Sequence, residues 1–96
     1  MKRITENDAY YLICLMEECA EITQRISKAF RFGIDNVHPK YGEDSNRVLL
    51  AQECGDILGV IDELIAFDVI DIDIINEYRA RKPDRIRKYK EEYHGQ

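Results

Sequence analysis

Four carboxylates set the tightest constraint on how this chain folds. "MEECAEI", residues 16–22, places Glu18 and Glu21 three apart in an apolar stretch, and "QECGDIL", residues 52–58, repeats the arrangement with Glu53 and Asp56. Like charges one helical turn apart repel, and a carboxylate is costly to remove from water. On a helical wheel for the second segment, Leu49, Leu50, Ile57, Val60 and Leu64 all fall within about 60° of Glu53. Asp56 lies at the shoulder of the same arc. In the first segment Tyr11, Leu15 and Ile22 flank Glu18 on one side and Cys14 on the other, with Glu21 again at the shoulder. Each helix thus carries one acid amid hydrocarbon and a second beside it.

Two antiparallel helices joined through these faces would gather the four acids. A hard divalent cation takes oxygen ligands, and its charge offsets both the desolvation and the repulsion. Inward-facing carboxylates at one-turn spacing are how helical bundles build such sites. With no histidine or cysteine placed to join them, zinc is the weaker choice and magnesium, with manganese as substitute, the stronger. A single ExxE would read as a solvated face or a salt-bridge partner. Two such pairs, each intruding on an apolar arc, point to a metal.

The rest of the chain suits an all-α domain. Thr5 or Asn7 caps a first helix from about residue 6 to Arg31, which Gly33 ends. "GIDNVHPKYGEDS" is a loop. Asp44 or Ser45 caps a second helix running to about Phe67. "DVIDID" turns the chain, with Asp71 or Asp73 capping a short third helix to Arg81, and Pro83 opens a last helix over 84–93. "VIDIDII" alternates like a strand but has no partner strand. The expectation is one domain, residues 1–96, built as a bundle of about four helices whose core is completed by oligomerisation. Helix one is apolar nearly all round between Tyr10 and Met16, which favours a partner subunit.

Composition excludes several classes. The chain is 45% hydrophobic and 34% charged, too apolar for disorder. Its three cysteines form no CxxC pair and read as buried thiols in a reducing compartment. The longest apolar run, residues 9–16, is too short to span a bilayer, and no signal peptide opens the chain, so a cytoplasmic location is expected. Residues 1–78 hold 7 basic and 16 acidic side chains, whereas residues 79–96 hold 7 basic and 3 acidic ones. An acidic body argues against a duplex nucleic-acid binder. The basic tail suits either phosphate contacts near a cation site or a plain solvated helix.

"EECAEITQRISKAFRFG" followed by "ECGDIL" resembles the MazG-type all-α nucleoside triphosphate pyrophosphohydrolases, a superfamily that includes dimeric dUTPases, dCTP pyrophosphatases and HisE. Its hallmark ExxE and ExxD are matched by Glu18, Glu21, Glu53 and Asp56, and the "KxxRFG" helix end adds to the likeness. The resemblance covers residues 9–67 well and the last third weakly. The 31 residues between Glu21 and Glu53 are long for the family. It implies magnesium-dependent cleavage of a deoxy or noncanonical nucleoside triphosphate to the monophosphate and pyrophosphate, in a homodimer or homotetramer of a bacterial or phage-infected cytoplasm. Glu18, Glu21, Glu53 and Asp56 would hold the metal, and Glu21 would accept the proton of the attacking water.

Among secondary residues, Lys28 shares a face with Glu21 and is a candidate phosphate contact. Arg25 reads better as an i,i+4 ion-pair partner of Glu21. Asn46 falls on the face of Glu53, where it could read a base or ribose, though helix capping is the simpler role. Lys82 and Arg85 are phosphate candidates because related enzymes bring basic residues from a following helix. Tyr11 reads as core, and Tyr10 and Phe32 as core or base-stacking. Two rival functions fit the same residues: a nucleotide-sensing protein without turnover, and a structural helical dimerisation module.

Overall fold

The computed structural model describes residues 3–94. They form three helices in the order α1 (Glu6–Phe32), α2 (Asn46–Ala66) and α3 (Ile72–His94). The all-α class is as expected, and no sheet occurs among the described residues. One isolated antiparallel bridge joins Val37 to Ser45 in the loop.

The caps explain the boundaries. The Asp8 N–H donates to Thr5 Oγ1 at 3.0 Å, and the Val48 N–H to Ser45 Oγ at 3.3 Å, so Thr5 and Ser45 satisfy donors that a helix start leaves orphaned. Gly33 closes α1 at φ 102°, a conformation that only glycine adopts freely. At the end of α2 the Asp68 N–H donates to the Ile65 carbonyl and the Val69 N–H to the Leu64 carbonyl. With Asp68 at φ 60°, this is the paired-bond terminator in which a left-handed residue ends a helix. Asp71 then opens α3, its Oδ1 accepting from the Asp73 N–H at 2.7 Å.

Four helices were expected and three are present. Pro83 does not break the chain between Arg81 and Asp84; it lies inside α3, which runs through it for 23 residues. Proline removes one i→i−4 bond, but the residues around it are mostly arginine, lysine, glutamate and alanine, which favour helix strongly. "VIDIDII" is turn followed by helix, as expected.

α1 and α2 pack antiparallel. Tyr11 near the start of α1 stacks on Phe67 just past the end of α2, with ring centroids 5.0 Å apart. The less exposed residues of α1, including Tyr11, Leu15, Glu18, Ile22 and Arg25, recur at helical spacing, as do Leu49, Glu53, Ile57, Val60 and Leu64 on α2. Those are the faces the wheel selects. α3 touches this hairpin only marginally.

The result is flat, 48 × 40 × 18 Å, and its thickness is less than two helix diameters of about 10–12 Å each. The radius of gyration is 17.0 Å, against about 12.5 Å for a compact chain of this length. Among the described residues Leu64 is the one fully buried apolar side chain. The accessible surface is 8229 Å², while a compact monomer of this mass exposes about 5,700 Å². One layer of helices has no second layer to close a core against.

Candidate functional site

The seam between α1 and α2 brings acids from both helices together. Glu18, Glu53 and Asp56 each offer an oxygen, and all three oxygens lie within 4.8 Å of one another. Glu53 is buried at 7% exposure, Glu18 is half-buried and Asp56 opens to solvent. The cause is the placement seen in the sequence: Glu18 and Glu53 occupy seam positions one turn from Leu15 and Ile57, while Asp56 sits at the seam's edge.

This arrangement is electrostatically unsettled on its own. Glu53 is pushed up from 4.5 to about 7, first through hydrogen bonding to the Glu18 carboxyl, then by burial, then by the charges of Glu18, Asp56 and Glu21. Two carboxyl groups can hydrogen-bond only when one of them keeps a proton. With both ionised, Glu18 Oε2 and Glu53 Oε1 are buried without a partner. A buried unpaired acceptor is expensive, and so is a shared proton near neutral pH. A hard divalent cation would relieve both, and an all-oxygen donor set suits it, so these residues fit magnesium or manganese.

Glu21 stands outside the trio whose oxygens converge. It is exposed and acts on Glu53 through its charge alone.

Beside the acids, the end of α1, the 33–45 loop and the start of α2 enclose a groove of about 970 Å³. Arg25, Lys28 and Phe32 line it from α1, and His38, Tyr41 and Asn46 from the loop and α2. Lys28 borders this groove. So does Arg25: its expected ion pair with Glu21 is not among those formed by the described residues. Asn46 does not cap α2 either, since Ser45 holds that place. Its Nδ2 donates to the Gly33 carbonyl at 2.9 Å and its backbone N–H to the Asn36 carbonyl at 2.9 Å. Asn46 thus pins the loop to the end of α1 while bordering the groove.

The loop is built rather than slack. Arg47 Nε donates to Asp35 Oδ1 at 2.8 Å, and the guanidinium holds the Asp35 carboxyl below its usual range. His38 Nδ1 accepts from the N–H groups of Lys40 (3.1 Å) and Tyr41 (3.0 Å). Holding Nδ1 as an acceptor leaves the proton of the neutral ring on Nε2, a donor. Gly42 passes so close to His38 that a Cβ there would meet the His38 nitrogen at 2.6 Å. Helical periodicity says nothing about His38 or Tyr41, because they lie in a loop. The turn residues of "HPKYG" were the available signal.

Lys82 and Arg85 are not brought to the acids within the chain. They line a separate shallow groove on α3 with Ile86 and Tyr89. Cys14 is half-buried, but Cys19 and Cys54 are exposed, contrary to the expectation of buried thiols. They fall on the outer sides of α1 and α2, away from the seam that holds their glutamate neighbours. No helix among the described residues is long and apolar enough to cross a membrane.

Compared with protein-family models, curated proteins and solved structures, the chain gives no match.

Proposed function

We propose that this chain is a magnesium-dependent nucleoside triphosphate pyrophosphohydrolase of the MazG type, working as a homodimer or homotetramer. The observation that carries the reading is the convergence of Glu18, Glu53 and Asp56 with two buried oxygens left without donors. Beside them the groove carries two cations, Arg25 and Lys28, two carboxylates, Glu43 and Asp44, and the exposed rings of Phe32 and Tyr41; the cations and rings are the groups that a nucleotide's phosphates and base would meet.

Glu18, Glu53 and Asp56 would hold the cation, and Glu21, exposed beside them, would be available as a fourth ligand. Magnesium, when bound, supplies charge neutralisation at phosphoryl oxygens and a lowered pKa for water. Arg25 and Lys28 bind the polyphosphate and fix its reach into the acidic seam. Phe32 and Tyr41 present ring faces on which a base stacks, and His38 Nε2–H donates to a base carbonyl. Glu21 takes the proton from the attacking water, since its exposed carboxylate is less committed to the cation than the buried pair. The α–β anhydride breaks, giving a monophosphate and pyrophosphate.

Oligomerisation belongs to the same reading. The surface in excess of a compact monomer is roughly 2,500 Å² per chain. Obligate interfaces bury about 2,000–5,000 Å² over both partners. The excess therefore fills one extensive dimer interface or the two interfaces of a tetramer.

The test is a panel of ribo-, deoxy- and base-modified triphosphates with magnesium, read by pyrophosphate release. Release from at least one, abolished by chelation, is the expected result. Nucleotide bound in calorimetry but returned intact from every reaction would overturn the enzyme reading and leave a sensor.

A further inference from the structure

We propose that the groove beside the acidic seam selects guanine, with Glu43 taking the N1–H and N2–H2 edge of the base and His38 donating to its O6. The inference rests on the nucleotide reading above and deepens it by naming the base.

The groove mixes charges that a plain phosphate site would keep apart. Arg25 and Lys28 line it from α1, as phosphate requires, yet Glu43 and Asp44 line it from the loop. A carboxylate repels a polyphosphate, so acids here weaken the binding of any ligand that offers them no donor. Neither acid is neutralised by a cation of the chain. The ion pairs among the described residues join Arg47 to Asp35, Arg81 to Glu77 and Arg87 to Asp84. Asp44 is partly engaged, because its Oδ2 accepts from Gln52 Nε2 at 3.4 Å. Glu43 is the acid left to meet a ligand.

The backbone fixes what the loop offers. His38 Nδ1 accepts from the N–H groups of Lys40 and Tyr41, which leaves Nε2 as a donor. The His38 ring also lies 5.1 Å from the Tyr41 ring, so the turn and a neighbouring ring hold it in one orientation. The Gly42 N–H donates to the His38 carbonyl at 3.1 Å, and a Cβ on Gly42 would meet the His38 nitrogen at 2.6 Å. Glu43 is the next residue, so its side chain leaves the backbone one residue from that contact. One N–H donor and one two-oxygen acceptor therefore belong to the same tight turn.

The bases differ in what they return to this pair. The pairing edge of guanine carries O6 as an acceptor, then N1–H and N2–H2 as adjacent donors. A carboxylate takes two parallel donors with its two oxygens, as it does from a guanidinium. Adenine and cytosine set a ring-nitrogen lone pair beside their one amino group, and that lone pair repels the second carboxylate oxygen. Uracil and thymine place a single N–H between two carbonyls, with the same outcome. Hypoxanthine keeps O6 and N1–H but lacks the amino group. Guanine alone among these fills all three positions, and the exposed Phe32 ring at the groove wall offers a face for the purine.

The test is calorimetry on the full chain with magnesium and the α,β-methylene triphosphates of guanosine, inosine, adenosine, cytidine and uridine, whose α–β link is not hydrolysed. The guanosine compound should bind tightest, about 10-fold or more above inosine, because a site built to bond an amino group rejects the analogue without it. In Glu43→Gln the guanosine-over-inosine ratio should fall towards one, since an amide presents one acceptor where the carboxylate presents two. In His38→Asn the new Oδ1 can still accept the two backbone N–H groups while no Nε2–H remains. Guanosine and inosine should then weaken together, by about 10-fold, with their ratio kept. Both positions are exposed in the loop, and unchanged helical circular dichroism verifies that each variant is folded. Equal affinity for the five compounds, or a guanine preference untouched by Glu43→Gln, would overturn the proposal. Guanine-selective binding without pyrophosphate release from guanosine or deoxyguanosine triphosphate would count against the hydrolase reading alone. Pyrophosphate release with no base preference would overturn guanine selection alone.

Discussion

Glu18 and Glu53, from different helices, each bury a carboxylate oxygen in the α1–α2 seam that no hydrogen-bond donor reaches. Two facing acids can coexist there if one keeps its proton or if a cation joins them, and the choice between these states is measurable.

Replacing Glu53 by glutamine removes the charge but keeps the shape. Without metal, the Glu53→Gln variant should melt at or above the wild-type temperature, since an amide can donate where a carboxylate cannot. Magnesium should raise the melting temperature of the wild type and leave the variant nearly unmoved. Pyrophosphate release should fall by about 100-fold or more. Equal magnesium responses from the two proteins would remove Glu53 from the ligand set.

The pH dependence follows from the Glu53 carboxyl being raised from 4.5 to about 7. A folded state that holds a proton more tightly than the unfolded chain is favoured at low pH. Its advantage is fully present below about pH 4.5 and is lost as pH rises through 7. In metal-free buffer the wild type should therefore lose stability across that window relative to the Glu53→Gln variant. Saturating magnesium should abolish the loss, because the cation favours the ionised form. Magnesium affinity should weaken as pH falls below 7. Parallel wild-type and variant melting curves across the range would contradict the proton-sharing pair.

One fully buried apolar residue among those described, in a layer of helices, is a poor basis for a stable monomer. The melting temperature should rise with chain concentration, and sedimentation should show dimers or tetramers at every concentration at which the helical circular dichroism persists. A folded, concentration-independent monomer would refute the oligomeric reading.

Gly42 tests the groove separately from the metal. A methyl group there meets the His38 backbone at 2.6 Å, so Gly42→Ala must displace the segment carrying His38 and Tyr41. The expected result is a KM raised about ten-fold, with kcat and the magnesium-induced melting shift retained, as when uniform binding is lost. A change in kcat with KM intact would place the loop in the chemistry instead of in recognition.

Much of the acidic seam could be read from the sequence. Glu18 and Glu53 interrupt a helical apolar period, and period is what a sequence displays most directly, so their inward placement was legible before any coordinate. The Thr5 and Ser45 caps and the Gly33 stop were legible for the same local reasons. Pro83 misled because proline favours the first position of a helix, whereas here the strong helix formers on both sides carry α3 through it. Arg25 misled because i,i+4 spacing permits an ion pair without requiring one. The loop side of the groove was invisible for a different reason: His38 and Tyr41 are placed by loop hydrogen bonds that no periodicity encodes, whereas the wheel had already put Asn46 on the Glu53 face.

The flatness of the chain has a consequence for the cell that makes it. If a lone copy cannot close a core, acquiring structure and meeting a sibling are one event, and the working species grows at least as the square of chain abundance when copies are scarce. Small changes in synthesis would then switch the protein on or off steeply. A defective allele co-expressed with an intact one would spoil more than its share of assemblies, because an assembly escapes only when every copy in it is sound.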